Sequence, residues 1–352
     1  MEFAFTDEQA MIAETARDFF RANATSERTR KAMAGDGLDR DLWQAFSGEL
    51  SLAGLTIAEE HGGSGLGMVE LAIIAEAAGS QVAAIPLLGH ARACAAIGSG
   101  GSHEVQSRWL PQLASGEALC AIASTHTALD GDEEVVSSTI EFVPHGGVAD
   151  VLLVATPDTM ALVDARAEGV SIESHTTMDQ TRPLASVHLD RAAATPLGAS
   201  FDAVMATWAA GWIVLAAEAL GGAQETLDRT VAYSLDRVQF GRQIGSFQAY
   251  KHRLADMMIE IEQARSAVYW AACALDEGAD EAQMALHSAK AFCADTFFLC
   301  AGNMIQLHGG IGFTWEHDAH LFFKRARSIQ TLLMDGDYHR EQVARMVLGE
   351  AA

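Results

Sequence analysis

Residues 237–248, which read RVQFGRQIGSFQ, combine arginines, phenylalanines and a terminal glutamine in a short stretch. A guanidinium pairs with phosphate through parallel hydrogen bonds, and an aromatic ring covers an apolar ligand face. The same residue types also fit an ordinary connection between two helices, where glycines and surface arginines are common. The segment by itself indicates either an anion and aromatic binding site or such a connection.

A second segment, residues 306–313, reads QLHGGIGF and has glycines at 309, 310 and 312. Glycine lets a backbone come close to a ligand, and Thr314 can begin a following helix whose terminal amides favour anions. Either segment could be a simple turn. Together they are much more specific, and they favour a binding site.

The elements that must position these segments are helical at both ends of the chain. Thr6 followed by Gln9 fits a capping box, and helical spacing continues over about 40–50, 67–79, 84–98 and 103–114. After Phe201 long apolar helices are predicted over about 201–234, 246–277, 280–307 and 316–333. Their apolar residues lie on more than one side, so we expect a bundle that continues into an oligomer.

The middle of the chain has a strand pattern of short Val-, Ile-, Ala- and Thr-rich runs split by Gly, Pro and Asp. The sequence therefore predicts a mainly helical protein with a small β domain, divided at 1–115, 116–197 and 198–352. The predicted strands are 119–124, 135–142, 148–155, 160–163, 170–172 and 184–189.

Composition excludes several function classes. Lys and Arg number 23 against 47 Asp and Glu, a net charge of −24, which argues against nucleic-acid binding. The most apolar run, 206–217, is too short to span a membrane, and the N-terminus lacks the pattern of a signal peptide. The five cysteines form no Cys-x-x-Cys pair, so we expect a cytoplasmic protein with buried thiols and no metal site.

The pair RVQFGRQIGSFQ and QLHGGIGF resembles the signature of the acyl-CoA dehydrogenase family. The FTDEQ opening, the AEEHGGSGLGMVE stretch and the order of helical, β and helical thirds are also similar to that family, so the resemblance covers nearly the whole chain. It implies FAD as cofactor, an acyl-CoA thioester as substrate, 2,3-desaturation as the reaction and an electron-transfer acceptor. In this family the ADP half of FAD is gripped by the neighbouring subunit.

The resemblance also implies roles for individual residues. Arg237 would pair with the FAD pyrophosphate, and Gln306 and Gly310 would meet the same group in a flavin seated mostly in the partner subunit. The other residues expected to bind the cofactor are Phe240, Ile244 and Phe247 at the adenine end, Gln248 nearby, and the glycines Gly309 and Gly312.

Desaturation needs a carboxylate to remove the α-proton. The family usually supplies it from a Glu-Gly-Thr segment after the last long helix, and the nearest match here is Asp335 followed by Gly336, one methylene shorter. A second family position falls near Gly211, where there is no acid. Asp335 is therefore the candidate base, and the alternative is that the base lies on a partner subunit.

The β domain departs further from the family. In place of the Thr-Glu-Pro strand, which holds flavin and substrate, the chain reads AIASTHTALD, with Ser124 and Thr125 as possible donors, and a later Trp-containing segment is missing. The residues that would contact FAD bound to a neighbouring subunit match the family pattern, whereas those that would hold FAD bound to this chain largely do not. We therefore predict that the chain is the smaller subunit of an α2β2 heteromer. In this family such heteromers occur among enzymes that act on steroid side-chain thioesters, so the resemblance implies a substrate of that class. The alternatives are a homo-oligomeric enzyme using Asp335 and a non-catalytic scaffold.

Overall fold

A computed structural model describes residues 5–124, 130–132, 134–156 and 159–349. The chain divides into two compact units. One unit comprises residues 1–26, 68–83 and 212–352, and the other comprises 27–67 and 84–211. Thr125 lies outside the described residues.

Helices account for most of the chain, which confirms the predicted fold class. The capping box is present, since Gln9 N donates to the Thr6 hydroxyl and Thr6 N donates to the Gln9 side chain. The helices are α1 (Asp7–Asn23), α2 (Ser26–Met33), α3 (Arg40–Gln44), α4 (Met68–Ser80), α5 (Leu87–Gly100), α6 (His103–Ala114), α7 (Phe201–Asp236), α8 (Gln248–Asp276), α9 (Ala282–His308), α10 (Ala319–Thr331) and α11 (Gly336–Leu348).

The strands of the second unit are β1 (Cys120–Ser124), β2 (Asp130–Asp132), β3 (Val135–Pro144), β4 (Val151–Ala155), β5 (Met160–Asp164), β6 (Val170–Ser174) and β7 (Leu184–Leu197). Their sheet has the order β1-β4-β5-β7-β3-β2, with β6 also paired to β7. Only the β1–β4 pair is parallel among the described strands. Alternate residues of β4 enter two different apolar clusters, so this strand is buried on both faces.

The first unit is a helical bundle in which α9 packs against α8, α10 and α11. Helices α4 and α7 approach closely at Gly221, where a Cβ would overlap the Glu76 carbonyl oxygen and lie 2.8 Å from its carbon. Helix α11 was not predicted as a separate element. The cysteines are free thiols, and all are buried except Cys273, which is half-buried.

Helix α7 is long and apolar enough to meet a length and composition test for a membrane span. However, 78% of its most apolar window is buried inside the protein. Core helices pass the same test, so its apolar surface is accounted for by packing. The domain boundaries at 115 and 197 stay predictions.

Candidate functional site

The first predicted binding segment forms a hairpin between α7 and α8. Strands β8 (Val238–Gln239) and β9 (Arg242–Gln243) are joined by Phe240 and Gly241, with φ of 51° and 77°. Two consecutive left-handed residues give a turn whose twist matches that of a hairpin. The Phe240 side chain is 92% exposed, so the hairpin holds an apolar ring out from the protein.

The residues on either side of the hairpin lie close together. Ile244 N donates to the Arg237 carbonyl over 2.9 Å. The Arg242 guanidinium carbon lies 4.0 Å from the centre of the Phe247 ring, and Phe240 meets that ring edge-on at 6.3 Å. One connection thus brings together the residues predicted from the first segment, namely Arg237, Phe240, Ile244, Phe247 and the first residue of α8, Gln248.

The second predicted segment continues from the end of α9. Gln306 is exposed in the last turn, and Gly309 has φ 62° and ψ −139°, a conformation open essentially to glycine alone. A Cβ on Gly309 or Gly310 would meet no described atom within 4 Å, whereas a Cβ on Gly312 would lie 2.7 Å from the Ile305 carbonyl oxygen. Gly312 therefore permits packing against α9, and the other two glycines leave an open backbone surface.

Two tyrosines tie the predicted segments to each other. The Tyr233 hydroxyl donates to the His308 carbonyl over 3.3 Å, and the two rings stack at 4.4 Å. From the start of α8, the Tyr250 hydroxyl donates to the Leu307 carbonyl over 3.2 Å. Burial raises the pKa of Tyr250 to about 12, so this hydroxyl stays protonated at neutral pH. The ends of α7, α8 and α9 therefore form a single site.

Asp335, the predicted base, is an exposed residue that caps α11. Its carboxylate oxygen accepts a hydrogen bond from Tyr338 N over 3.0 Å. A cap satisfies a backbone amide that would otherwise lack a partner at the start of a helix. This contact gives Asp335 a structural role. Its role as a base stays a prediction.

The turn between α10 and α11 is held by buried polar side chains. Leu333 and Met334 are left-handed, with φ of 51° and 74°. Lys290, which is fully buried, donates to the Ile329 carbonyl over 3.0 Å and to the Met334 carbonyl over 3.2 Å. The Trp212 indole N–H donates to the Leu333 carbonyl over 2.9 Å. These contacts hold a strained turn in one conformation.

A histidine pair completes this cluster. The Nδ1 atoms of His287 and His339 are 2.8 Å apart, and His339 Nε2 lies 3.3 Å from the Leu333 carbonyl. Because a carbonyl only accepts, we assign the proton of His339 to Nε2, so its Nδ1 accepts from His287. Burial lowers the pKa of His287 to about 4, and burial with the Lys290 charge lowers the pKa of His339 to about 3. Burial also lowers the pKa of Lys290, to about 8.

Ser124, one of the two hydrogen-bond donors predicted in the β segment 121–130, lies at the end of β1. Its hydroxyl oxygen accepts a hydrogen bond from Arg92 Nη2 over 3.1 Å. Among the described residues, no group of three His, Cys, Asp or Glu side chains is placed to hold a metal ion.

Comparison with known proteins identifies the family. The acyl-CoA dehydrogenase N-terminal domain matches residues 6–117 and the C-terminal domain matches residues 200–348. The acyl-CoA dehydrogenase IpdE2 of Mycolicibacterium smegmatis is 35% identical over 97% of this chain and 98% of its own length. The fold and these matches define an oxidoreductase. The chain belongs to the acyl-CoA dehydrogenase family, whose members are FAD-dependent flavoproteins.

Two solved structures are similar over almost the whole chain. The Tcur3481-Tcur3483 steroid ACAD G363A variant is 30% identical, with a TM-score of 0.90, and covers 98% of this chain and 99% of its own. The ChsE4-ChsE5 complex from Mycobacterium tuberculosis is 26% identical, with a TM-score of 0.90 and full coverage of both chains.

The groups at the end of α7, the start of α8 and the end of α9 have the chemistry that the ADP half of FAD would need. Among the described residues, no carboxylate forms an ion pair with the Arg237 guanidinium, which is therefore available to a phosphate. The exposed Phe240 ring offers an apolar face, and Gly309 and Gly310 leave room for a phosphate beside the backbone. Gln306 would add a polar contact at the same end.

Four buried polar residues were not predicted from the sequence, namely Arg92, His287, Lys290 and His339. The available signal was a small number of charged or polar residues inside an apolar helical run, as in LLGHARACAAIG and ALHSAKAFC. Such a residue must find a partner or become a ligand site, because burial of an unpaired charge is costly. Its partner is distant in sequence, so the pattern alone does not assign a role.

Proposed function

We propose that this chain is the smaller subunit of a heteromeric acyl-CoA dehydrogenase. It contributes ADP-binding residues to FAD on a homologous larger subunit, which carries the catalytic base. The reaction is the 2,3-desaturation of an acyl-CoA thioester, and the acyl group is one formed in the degradation of steroids. Electrons pass to a separate electron-transfer acceptor.

The observation that carries this proposal is that the groups expected to bind FAD face away from the rest of this chain. Phe240, Gly309 and Gly310 face open space, and Arg237 has no ion-pair partner among the described residues. Groups exposed at the ends of helices suit a ligand brought by another subunit. Arg237 would neutralise the pyrophosphate, and the glycines would admit it close to the backbone.

The role of Asp335 as a helix cap supports a base on the partner. A base must accept a proton from substrate, whereas one oxygen of this carboxylate already accepts the Tyr338 amide hydrogen. When bound, FAD supplies the hydride acceptor for the desaturation. The proposed division of labour assigns cofactor binding to this chain and proton removal to the larger subunit.

Similarity supports the substrate class and the heteromer. One similar structure is described as a steroid ACAD and another as a complex of two different chains. This support is by analogy with those proteins, because the substrate preference of each enzyme depends on its own binding site.

The test is to express the chain alone and together with larger acyl-CoA dehydrogenases of the same organism that carry the family's glutamate, then measure size and flavin absorbance. We expect stable flavin only in the co-expressed complex. In that complex Arg237→Met with Gln306→Ala should release flavin, and the control Arg345→Met, an exposed arginine on α11, should retain it. Stoichiometric flavin and turnover from the chain alone would overturn the heteromer. Intact flavin and activity in the double variant would instead indicate a scaffold.

A further inference from the structure

Tyr233, His308 and His317 form a ring cluster at the base of the glycine segment, residues 309–313. His308 ends α9, and its ring stacks on the Tyr233 ring of α7 at 4.4 Å, with an angle of 21° between the planes. The His317 ring, which comes just before α10, lies 4.6 Å from the His308 ring at 51°. The ring cluster therefore joins both ends of the connection between α9 and α10 to α7.

His308 is held in one orientation. It is 4% exposed, and its Nδ1 lies 2.8 Å from the Met304 carbonyl oxygen. Because a carbonyl only accepts, we assign the proton to Nδ1, so the ring donates to the preceding turn of α9. Burial lowers the pKa of His308, and interactions with His317 and Arg229 lower it further, so the ring is neutral at pH 7. A neutral, buried ring acts on the glycine segment by position rather than by charge.

The glycine segment folds back over His308. A Cβ on Gly312 would lie 2.9 Å from the His308 Cβ, so the segment returns to the residue from which it starts. Glycine loses more conformational freedom on ordering than any other residue. A segment with glycines at 309, 310 and 312 therefore needs contacts at its ends to hold one conformation.

His317 supplies the contact at the far end of the segment. Its Nδ1 accepts a hydrogen bond from Ala319 N over 3.1 Å, which ties the ring to the start of α10. The contact between the His308 and His317 rings closes the connection between the two helices. Closure removes conformational freedom from the residues in between, so the open backbone at 309 and 310 is presented from a fixed base.

Tyr233 links the segment to Arg237. Arg237 N donates to the Tyr233 carbonyl over 2.9 Å, so the arginine follows one turn after the tyrosine at the end of α7. The Tyr233 hydroxyl also donates to the His308 carbonyl over 3.3 Å. The ring cluster thereby fixes where the arginine stands relative to the glycine segment. A pyrophosphate that meets both groups needs that arrangement to be constant.

We propose that the ring cluster positions the glycine segment for the FAD pyrophosphate. Tyr233, His308 and His317 are positioning residues, which act through the backbone at 309 and 310 and do not themselves contact the cofactor. The inference rests on the proposed function, since it concerns how the same site is preorganised. Without the rings the segment samples other conformations, and binding of FAD then includes the cost of ordering it.

The test compares variants that remove a ring with variants that keep one. It uses the flavin-loaded complex with the larger subunit. Release of FAD on dilution is followed by the rise in flavin fluorescence, which gives a dissociation constant, and melting is followed by circular dichroism. His317→Phe keeps a ring and loses the acceptor for Ala319 N, whereas His317→Asn keeps an acceptor and loses the ring. Tyr233→Phe and Tyr233→Leu make the corresponding comparison on α7.

We expect His317→Asn and Tyr233→Leu to bind FAD about three- to tenfold more weakly than the wild type, as is typical for loss of one aromatic pair. His317→Phe and Tyr233→Phe should bind FAD nearly as tightly as the wild type. If His317 served only to cap α10, the order of its two variants would be reversed, because only asparagine keeps the acceptor. The reversed order would overturn the proposal.

The control Phe323→Leu removes an aromatic pair between the same two helices. Phe323 of α10 meets Phe298 of α9 at 4.9 Å, farther from the glycine segment. This variant should melt at a lower temperature and keep the FAD affinity of the wild type. Weakened FAD binding in this control, in proportion to its melting temperature, would overturn the proposal, because general stability would then explain the ring variants.

Two further outcomes separate this inference from the proposed function. Wild-type FAD affinity in both His317→Asn and Tyr233→Leu would overturn the positioning role and leave the proposed function standing. Unchanged FAD affinity in Arg237→Met with Gln306→Ala would instead remove the proposed function, and this inference with it.

Discussion

Acidification should destabilise the protein through the buried pair His287 and His339. Both side chains are neutral in the folded state, and their shared hydrogen bond needs an unprotonated Nδ1 on His339. Protonation of His339 removes that acceptor and places a charge beside Lys290, which is fully buried. Folding therefore opposes protonation of the pair.

The direction and size of the effect follow from the pKa values. Burial lowers the pKa of His287 to about 4, and burial with the Lys290 charge lowers the pKa of His339 to about 3. An unfolded histidine titrates near 6.5, so below that pH the unfolded chain binds more protons and stability falls as pH falls. Between pH 7 and pH 5 each histidine contributes a loss of about 2 kcal/mol by linkage. The loss continues until the pH passes the folded pKa values.

The assay is urea unfolding at pH 7, 6 and 5 at constant ionic strength, followed by circular dichroism. The variant His287→Asn/His339→Asn removes both titrations, and each amide retains a polar atom near the position of Nδ1. It should lose about 2 to 4 kcal/mol less than the wild type over this range. The control His252→Asn, on the exposed face of α8, should follow the wild type. Equal losses in the wild type and the double variant would refute the argument.

Three further changes have definite expected outcomes. Gly221→Ala should lower stability by about 1 to 3 kcal/mol in thermal unfolding, because its Cβ would overlap the Glu76 carbonyl, whereas Gly302→Ala, with only a 3.9 Å contact to a Phe323 ring atom, should not. Thr6→Ala should cost about 1 kcal/mol and speed amide exchange in α1, and Thr6→Ser should restore protection. Asp335→Ala should cost about 1 kcal/mol through loss of the α11 cap, but Asp335→Asn should retain stability. Turnover of the Asp335→Asn complex then tests the base: abolished turnover with flavin retained would favour the homo-oligomeric alternative.

Much of the secondary structure was predictable because its causes are local. The Thr6 capping box, the strands at 135–142 and 160–163 and the long helices after 201 each follow from residue periodicity and short-range hydrogen bonding. Helix α11 was not predicted as a separate element. It begins after the left-handed pair Leu333 and Met334, a break that carries no glycine or proline signal before Asp335.

The candidate cofactor site was also predictable at the level of residues. Its glycines, arginine and aromatic residues lie in two short segments, and each segment has a recognisable local pattern. That Tyr233 and Tyr250 tie these segments together was not evident, because both hydroxyls donate to carbonyls of α9 more than fifty residues away.

The sequence by itself determined the family and the fold class and supplied the residues that we propose to bind FAD, because these depend on local patterns and on similarity to known chains. The tertiary structure decided which buried polar groups meet. Arg92 reaches Ser124 from 32 residues away, and His287 reaches His339 from 52. Such contacts depend on how helices and strands pack, and the environment they create, more than the residue types, sets the charge and the pKa of each group.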